Sequence, residues 1–390
     1  MEPWTPLIAL TAAAGAAAES WLHLRRLSRI PQRIHVNGTR GKSGVTRLIA
    51  AGLRAGGLRV VAKTTGAAPR ILLPDGSEED PRHGRRPSLR EYGGIVRLAV
   101  RHRAVAVIVE CMALRPEYQV AAERLLRSTI GVLTNAGLDH VGVMGSTLEE
   151  ITAALGGTIP TRGALVTSSP VPALWSNRAA SLGTEVRTVS PAAVRTLPVG
   201  YVEWPINVAL ALEVCALCGV DRETALAAMR VVHPDPGALR VWQMPHEGGR
   251  VWLVGSFGAN DPGSTRRAIE RVRGHLPEPG RIVGVLNTRA DRGERTLQWC
   301  EALLRGDLRV DALVLTGGHG PAALRLLRRG GWQVAATTAA SPEPGELMDA
   351  ALGHAGDGGL IVGMGNIRGA GAALLDAWQR MGEEVVISDG

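Results

Sequence analysis

A single short loop carries the residue types best suited to chemistry, N-G-T-R-G-K-S at positions 37–43. Gly38 and Gly41 permit positive φ angles and close backbone approach, so successive N–H groups can converge on phosphate oxygens. Lys42 can neutralise the β and γ phosphates as a point charge, and the Ser43 hydroxyl can complete the coordination of Mg²⁺. The loop therefore predicts a binding site for a nucleoside triphosphate.

The elements on either side suit this loop. A β-type run at 34–36 enters it and a run with helical spacing at 45–53 leaves it, which is the order that a phosphate-binding loop requires. The spacing G-x-x-G-K-S is shorter than the generic G-x-x-x-x-G-K-[ST]. We predict that ATP contacts most of the loop. The predicted nucleotide contacts here are Asn37, Gly38, Thr39, Gly41, Lys42 and Ser43.

Lysine is rare in this chain. Only two of its 44 Lys and Arg residues are lysines, Lys42 and Lys63. Because arginine serves wherever a general positive charge suffices, a retained lysine indicates a need for a compact ammonium on a flexible stem. Lys63 begins K-T-T-G after a strand-like run, and we predict that it contacts substrate. The alternative is that both lysines lie in surface turns.

A carboxylate and a histidine end two further predicted strands. Glu110 follows the apolar run 104–109, and T-N-A-G-L-D-H brings Asp139 and His140 to the end of the next strand. The carboxyl ends of parallel strands meet at one edge, where α/β folds bind ligands, and a buried carboxylate needs a cation. We predict that Ser43, Glu110 and His140 hold one Mg²⁺. The alternative for His140 is an ordinary hydrogen-bonded turn.

Composition bounds the class of protein. The 390 residues suffice for two or three domains, and 45% hydrophobic with 21% charged residues is typical of a globular chain. The net charge of +8 suits an anionic lipid surface or a polyanionic substrate. Because the few aromatic residues do not alternate with the basic ones, we expect no nucleic-acid partner. The four cysteines show no disulfide or zinc pattern, and Cys215 and Cys218 are interpreted as buried helix thiols.

Residues 1–30 are predicted to form a separate hydrophobic segment with a short helix. The stretch 3–18 carries no charge, but it is shorter than the ~20 residues that span a bilayer. If it inserts, the arginines that follow it would hold the catalytic body in the cytoplasm, at the cell membrane. A membrane anchor and an ordinary surface or core helix both remain open.

Two α/β domains are predicted to follow. Short β-branched runs alternate with helical runs over residues 31–232, which indicates a central P-loop ATPase domain with a mainly parallel sheet. The polar, proline-containing segment 69–87 is predicted to be a long surface loop. The run H-P-D-P-G-A-L-R at 233–240 marks the boundary. The same alternation then predicts a C-terminal Rossmann-like α/β domain over 233–390, with one of its strands at 332–335.

Polar residues end several strands of the second domain, in N-T-R-A-D-R (287–292) and G-M-G-N-I-R-G (363–369). Such residues form the expected ligand edge of a doubly wound sheet. Guanidinium groups pair bidentately with carboxylates, so the arginines suit an acidic substrate, with a solvated surface as the alternative. Besides Lys63, the predicted substrate contacts are Arg289, Asp291, Arg292, Asn366 and Arg368.

Together the motifs resemble one family. K-T-T-G, E-C-M-A-L-R-P-E-Y-Q, N-A-G-L-D-H-V-G-V-M-G, H-P-D-P-G-A-L-R, F-G-A-N-D, N-T-R-A-D-R and G-M-G-N-I-R-G are similar, in this order, to the poly-γ-glutamate synthase ligases of the Mur ligase superfamily. The similarity runs from about Arg33 to Gly371. It implies an ATP-dependent, ADP-forming acid–amino-acid ligase that polymerises glutamate through an acyl phosphate.

The resemblance also implies partners and residue roles. The family works at the membrane on glutamate and the poly-γ-glutamate chain, together with small membrane protein subunits. Asn207 and Arg240 are implied as nucleotide contacts, the latter from a C-terminal domain that closes over the ATPase domain. The catalytic residues that it implies are Lys42, Glu110, His140, Arg240 and Asn260.

Some positions depart from relatives. Gly44 stands where many relatives have a second hydroxyl residue, which removes one phosphate contact. Ser256 and Ala259 stand where peptidoglycan ligases commonly have Asp and His, which favours polyglutamate over peptidoglycan chemistry. Two alternatives stay open. One is another glutamate or amino-acid ligase of the superfamily, of the folylpolyglutamate or cell-wall type. The other is a membrane-associated P-loop ATPase without ligase activity.

Overall fold

The computed structural model describes residues 4–66, 69–81, 88–138, 142–193, 204–235, 237–259, 261–276, 280–338, 343–385 and 387. The chain forms two compact units. The first comprises Met1–Arg195 and Trp204–Val232, and the second comprises Thr196–Glu203 and His233–Gly390. Each unit has its own sheet and its own buried apolar clusters.

The first unit alternates strands and helices. In chain order its elements are α1 (Thr5–Leu27), β1 (Gln32–Asn37), α2 (Lys42–Ala55), β2 (Val60–Lys63), β3 (Ile71–Leu72), β4 (Glu78–Glu79), α3 (Arg90–Arg101), β5 (Ala106–Glu110), α4 (Pro116–Leu126), β6 (Ile130–Leu133), α5 (Leu148–Leu155), β7 (Ala164–Ser168), α6 (Ala173–Ser181), β8 (Glu185–Val189), α7 (Pro205–Leu217) and α8 (Arg222–Met229).

The sheet of the first unit has the strand order β4-β3-β2-β5-β1-β6-β7-β8 in the described residues. All neighbours pair in parallel except β3 with β2 and β4 with β3. The central strands β2, β5 and β6 are buried along their whole length, which is why they appear in the sequence as continuous apolar runs. The parallel order brings the carboxyl ends of β1, β2, β5 and β6 to one edge.

The segment after β2 corrects a prediction. Residues 69–87 are not simply a loop, because β3 and β4 form a short antiparallel hairpin there, while 82–87 lie outside the described residues. Two polar ion pairs anchor the hairpin: Arg47 of α2 donates to Glu78 at 2.5 and 3.0 Å, and Arg70 contacts Asp80. Leu72 and Leu73 are buried as well, but each strand is only two residues long, which is too short for hydrophobic periodicity to reveal.

Helix α1 is longer than the predicted apolar stretch. Its alanine-rich composition and a proline in the first turn favour a helix from Thr5 to Leu27. Residues 8–22 are exposed, whereas Leu27 and Ile30 are buried in the body. No helix of the described residues combines the length and the apolar character needed to cross a membrane. The anchor therefore stays a prediction.

The cysteines of the first unit are free thiols. Cys215 is buried on α7, where its sulfur packs against Gly52 of α2. Burial raises the pKa of Cys215 to about 12 and that of Cys218 to about 11. Both thiols therefore stay protonated near neutral pH. Cys215 is a buried helix residue as interpreted, whereas Cys218 is half-buried and follows the last residue of α7.

The second unit repeats the α/β alternation. In chain order its elements are β9 (Arg240–His246), β10 (Gly249–Gly255), α9 (Pro262–Arg273), β11 (Ile282–Thr288), α10 (Gly293–Arg305), β12 (Ala312–Gly317), α11 (Gly320–Arg329), β13 (Ala335–Thr338), α12 (Pro344–Ala355), β14 (Leu360–Gly365), α13 (Ala370–Met381) and β15 (Glu383–Val385).

The sheet of the second unit has the order β13-β12-β11-β14-β10-β9-β15 in the described residues. The run from β13 to β10 is parallel, while β9 pairs antiparallel with both β10 and β15. The predicted α/β class with two mainly parallel sheets is confirmed. The strand predicted at 332–335 is displaced to Ala335–Thr338, because Trp332 packs into the core ahead of the strand instead of within it.

Candidate functional site

The predicted phosphate loop lies between β1 and α2, as its residue types require. Gly41 precedes the first residue of α2 with a φ of 82°, and Gly38 has a φ of 133°. A Cβ on Gly41 would lie 2.6 Å from Asn207 Oδ1, and one on Gly38 would overlap the Thr134 hydroxyl. Both positions therefore need glycine for backbone conformation and for space. Asn207 is buried on α7 beside the loop, and its contact with nucleotide stays a prediction.

Lys42 and Thr39 define the shape of the loop. The Lys42 ammonium donates to the carbonyl oxygens of Gly38 at 2.6 Å and of Thr39 at 3.4 Å. The Thr39 hydroxyl accepts from the Gly137 backbone N–H at 2.9 Å, which joins the loop to the segment after β6. The ammonium thus lies against the loop backbone at the start of α2, where a helix N-terminus favours an anion.

Asn37 ends β1 with its side chain turned into the protein. Its amide nitrogen donates to Gln119 Oε1 at 2.7 Å and to Thr158 Oγ1 at 3.2 Å. Its oxygen accepts from the Gly38 backbone N–H at 2.8 Å. These bonds fix the entry of the loop. The contact of Asn37 with the nucleotide stays a prediction.

Glu110 lies at the centre of the candidate site, at the carboxyl edge of the first sheet. Glu110 is only 2% exposed and is the last residue of β5. Ser43 Oγ donates to Oε2 at 2.8 Å, so two of the predicted metal ligands are in direct contact. Thr65 donates from its backbone N–H to Oε2 at 2.8 Å and from its hydroxyl to Oε1 at 2.6 Å. Sequence reasoning missed Thr65, although the K-T-T-G motif at the end of a neighbouring strand was the available signal.

The donor set suits a hard divalent cation. A hydroxyl oxygen and a buried carboxylate are ligands that Mg²⁺ and Mn²⁺ prefer. His140, the third predicted ligand, lies outside the described residues, as does Asp139. Within the described ranges no group of three or more His, Cys, Asp or Glu residues could hold a metal. Ser43 and Glu110 therefore form the described part of the predicted metal site.

Lys63 lies at the same edge as Glu110, at the end of β2. Its ammonium pairs with the Glu91 carboxylate of α3 at 2.7 Å, and its side chain is 6% exposed. A lysine buried to this degree needs such a partner. The retained lysine is thus a paired cation at the ligand edge, and its contact with substrate stays a prediction.

A buried polar network lies beneath the loop, on β1, and sequence reasoning missed it. His35 is fully buried, with Nδ1 2.8 Å from Glu123 Oε2 and Nε2 2.9 Å from the Tyr92 hydroxyl. Burial lowers the pKa of His35, but the Cys111 side chain and the Glu123 carboxylate outweigh it and raise the pKa to about 9. Imidazole and carboxylate therefore form a buried ion pair at neutral pH.

The ligand edge of the second unit is built around Asn287 of β11. The buried Asn287 amide donates to the carbonyl oxygens of Asn366 at 2.6 Å and of Arg368 at 2.9 Å. Asn366 Oδ1 accepts from the Arg368 backbone N–H at 2.8 Å. The sequence does not single out Asn287, although the motif N-T-R-A-D-R begins with it. Asn287 fixes the backbone of two residues that are predicted to contact substrate.

Four more predicted residues of this unit lie among the described residues: Arg289, Asp291, Arg292 and Arg240. Arg289 pairs with Asp291 through two bonds of 2.8 and 2.6 Å, and Arg292 is exposed just before α10. Their contact with substrate stays a prediction. Arg240, at the start of β9, forms two bonds of 2.6 Å to Glu384 and lies over the Trp242 ring at 5.0 Å. Asn260 lies outside the described residues.

The chain matches known sequences. A family model described as "Poly-gamma-glutamate synthase CapB C-terminal domain" matches residues 241–381. "PGA synthase CapB" of Bacillus subtilis is 37% identical over 292 residues, which cover 72% of this chain and 74% of that protein. "Capsule biosynthesis protein CapB" of Bacillus anthracis is 36% identical over 295 residues, or 73% of this chain. The chain spans 63% of the length of the Bacillus anthracis protein.

Solved structures share the fold. A bifunctional folylpolyglutamate synthase/dihydrofolate synthase from Yersinia pestis, complexed with AMPPNP and a Mn ion, has a TM-score of 0.68 at 20% identity, covering 91% of each chain. A folylpolyglutamate synthase from Mycobacterium tuberculosis, complexed with ADP, has a TM-score of 0.67 at 19% identity, covering 94% of each. The predicted family resemblance is confirmed, and the chain belongs to the CapB family of poly-γ-glutamate synthases.

Proposed function

We propose that this chain is an ATP-dependent ligase that polymerises glutamate into poly-γ-glutamate and releases ADP and phosphate. The observation that carries the proposal is the phosphate loop of Lys42 and Ser43 set against the buried Glu110, in a chain of the CapB family. The names of the sequence relatives support the polymer as product. The fold is shared with solved folylpolyglutamate synthases, and the site within it carries the functional argument.

The loop supports ATP as the phosphoryl donor, together with Mg²⁺. The two structural neighbours, one with AMPPNP and a Mn ion and one with ADP, are consistent with this choice. Ser43, Glu110 and His140 would hold the cation, which supplies positive charge beside the triphosphate when bound. Lys42 and the N–H groups at the start of α2 neutralise negative charge on the phosphoryl group in transfer.

The proposed chemistry is acyl-phosphate ligation. An oxygen of a glutamate carboxylate attacks the γ phosphorus of ATP, the bond to the β–γ bridging oxygen breaks, and ADP leaves. The amine of the next glutamate then attacks the acyl carbon. The carbon–oxygen bond to phosphate breaks, the nitrogen loses a proton, and an amide and inorganic phosphate result. Arg240 and Asn260 are proposed to contact the nucleotide or the acyl phosphate.

Acidic substrates need cationic partners at the ligand edges. Lys63 in the first unit is proposed to contact one glutamate carboxylate. In the second unit Asn287 fixes the backbone that carries Asn366 and Arg368, and Arg368 itself is exposed. The edge residues proposed to bind glutamate or the growing chain are Arg289, Asp291, Arg292, Asn366 and Arg368.

We also propose that the chain works at the cell membrane with its catalytic body in the cytoplasm. Exposed apolar side chains on α1, including Ile8, Leu10 and Trp21, support contact with lipid or with small membrane subunits. Arg25 and Arg26 follow in the last turn of α1 and suit an anionic lipid surface.

The decisive experiment measures ADP release from Mg-ATP with and without glutamate, beside a Lys42→Ala variant, and analyses the product for γ-linked polymer by NMR. Release that depends on glutamate, vanishes in the variant and accompanies polymer is the expected result. Release indifferent to glutamate would reject the ligase and favour an ATPase without ligation. Release driven by a folate acceptor in place of the growing chain would indicate a ligase of the folylpolyglutamate type.

A further inference from the structure

Thr65 supplies two of the three hydrogen bonds that the Glu110 carboxylate receives in the described part of the chain. Its backbone N–H donates to Oε2 and its hydroxyl donates to Oε1, so one residue holds both oxygens of the carboxylate. The third bond comes from Ser43, which donates to Oε2. A carboxylate held at both oxygens by a single residue cannot rotate about its terminal bond without breaking one of the contacts.

Thr65 is itself held in place by its neighbours. Lys63, two residues earlier, pairs in register with Val109 of β5, which places the end of β2 beside Glu110. The Thr64 backbone N–H donates to the Arg70 carbonyl oxygen at 2.9 Å, and its hydroxyl accepts from the Arg70 N–H at 3.0 Å. Thr64 thus closes the turn into the β3–β4 hairpin while Thr65 faces the carboxylate. The two adjacent threonines have separate tasks.

We propose that Thr65 is a positioning residue that orients the Glu110 carboxylate toward the divalent cation accompanying ATP. The proposal rests on the proposed function, because it assumes a cation at Ser43 and Glu110. Oε1 accepts only the Thr65 hydroxyl bond among the described residues, so it keeps lone-pair capacity for a cation. The Ser43 oxygen can likewise donate to Glu110 and still offer a lone pair. Residues that orient metal ligands in this way contribute strongly to metal affinity.

The test compares metal binding by Thr65 and Thr64 variants without any ligation. Free Mn²⁺ is followed by electron paramagnetic resonance as it is titrated into the full chain with saturating ADP, in the absence of glutamate. Thr65→Val removes the hydroxyl at constant volume, Thr65→Ala removes it and leaves room for water, and Thr65→Ser keeps it. Thr64→Val is the matched control, since within the described structure the Thr64 hydroxyl bonds to the Arg70 backbone and not to Glu110.

We expect Thr65→Val and Thr65→Ala to weaken Mn²⁺ binding about 10–100-fold. Thr65→Ser and Thr64→Val should bind Mn²⁺ like the parent chain.

Thermal unfolding without metal is recorded for each variant as a control for folding. If Thr65→Val does not fold, the comparison of Thr65→Ala with Thr65→Ser tests the proposal. Unchanged Mn²⁺ affinity in Thr65→Ala, or an equal loss in Thr64→Val, would overturn the positioning role. Absence of Mn²⁺ binding by the parent chain would overturn the metal site itself. Glutamate-independent ADP release beside normal Mn²⁺ binding would reject only the ligase.

Discussion

Two glycines of the first unit share a backbone conformation but not an environment. Gly41 and Gly57 both have a φ of 82°, a value that L side chains rarely adopt. A Cβ at Gly57 would meet nothing within 4 Å, whereas one at Gly41 would meet the Asn207 amide at 2.6 Å. The pair therefore separates the cost of backbone conformation from the cost of crowding the phosphate loop.

We predict that Gly57→Ala lowers the free energy of unfolding by about 1 kcal/mol and leaves ADP binding intact. Gly41→Ala should add ~1–3 kcal/mol of local strain, because the loop or Asn207 must move, and weaken ADP binding about tenfold or more. Urea unfolding and calorimetric titration with Mg-ADP check both values. Equal ADP affinity in the two variants would show that the space beside Asn207 is unimportant.

The buried His35 pair predicts a pH dependence of stability. The pKa of His35 rises from an ordinary 6.5 to about 9 in the folded chain, despite the opposing effect of burial. The stabilisation from its charged form is therefore fully present below pH 6.5 and is lost as the pH rises through about 9. Urea unfolding of the parent chain should show a falling free energy of unfolding across this window.

His35→Gln is the matching control, since glutamine can still hydrogen-bond to Glu123 and Tyr92 but does not titrate. The difference in unfolding free energy between parent and variant should shrink from pH 6 to pH 9. Burial raises the pKa of Cys215 to about 12, so this thiol titrates above the window and contributes equally to both proteins. A difference that is constant with pH would contradict a charged His35.

At the scale of elements, Arg240 joins two strands of the second sheet. It lies on β9 and pairs with Glu384 on the edge strand β15, with the two side chains 21% and 32% exposed. Partly exposed ion pairs contribute about 0–1 kcal/mol to stability. If Arg240 has only a structural role, substitutions of Arg240 and of Glu384 should have similar effects. If Arg240 also contacts the nucleotide or the acyl phosphate, its substitution should reduce ligation far more than that of Glu384.

We predict that Glu384→Gln changes the free energy of unfolding by less than ~1 kcal/mol and leaves ligation in place. Arg240→Ala should reduce glutamate-dependent ADP release about 10²–10³-fold, because a charged contact made in the transition state is lost. Steady-state kinetics and urea unfolding of both variants provide the measurement. If the two substitutions reduce ligation equally, the ion pair only connects β9 and β15, and Arg240 has no separate catalytic role.

At the scale of the whole molecule, α1 divides into an exposed and an attached part. His23 contacts the Leu125 carbonyl oxygen at 2.7 Å, and Leu27 and Ile30 are buried. Residues 8–22 are exposed and bury little surface against the rest of the first unit. Removal of residues 2–18 should therefore spare the fold of the body.

We predict that the full chain sediments with the membranes of cells that express it. The chain lacking residues 2–18 should remain in the supernatant. Binding of Mg-ADP should be unchanged, because the loop and Glu110 are held by elements of the body. Membrane fractionation and calorimetry check the two expectations. Equal sedimentation of both chains would reject α1 as the anchor.

The sequence by itself determined the phosphate loop, the α/β class and the family. The loop is local: strand, glycines, lysine and helix follow one another within 32–55, so the chemistry of adjacent residues reveals it. The class follows because strands buried on both faces are continuous apolar runs. The family follows because several such motifs occur in one order along the chain.

Only the tertiary structure decided which polar groups meet. Thr65 lies 45 residues from Glu110, His35 lies 88 from Glu123, and Arg240 lies 144 from Glu384. These pairs depend on strand order and register, which hydrophobic periodicity does not encode because it reports burial and not neighbours. The same reason hid the short β3–β4 hairpin, whose position depends on its partners more than on its own residues.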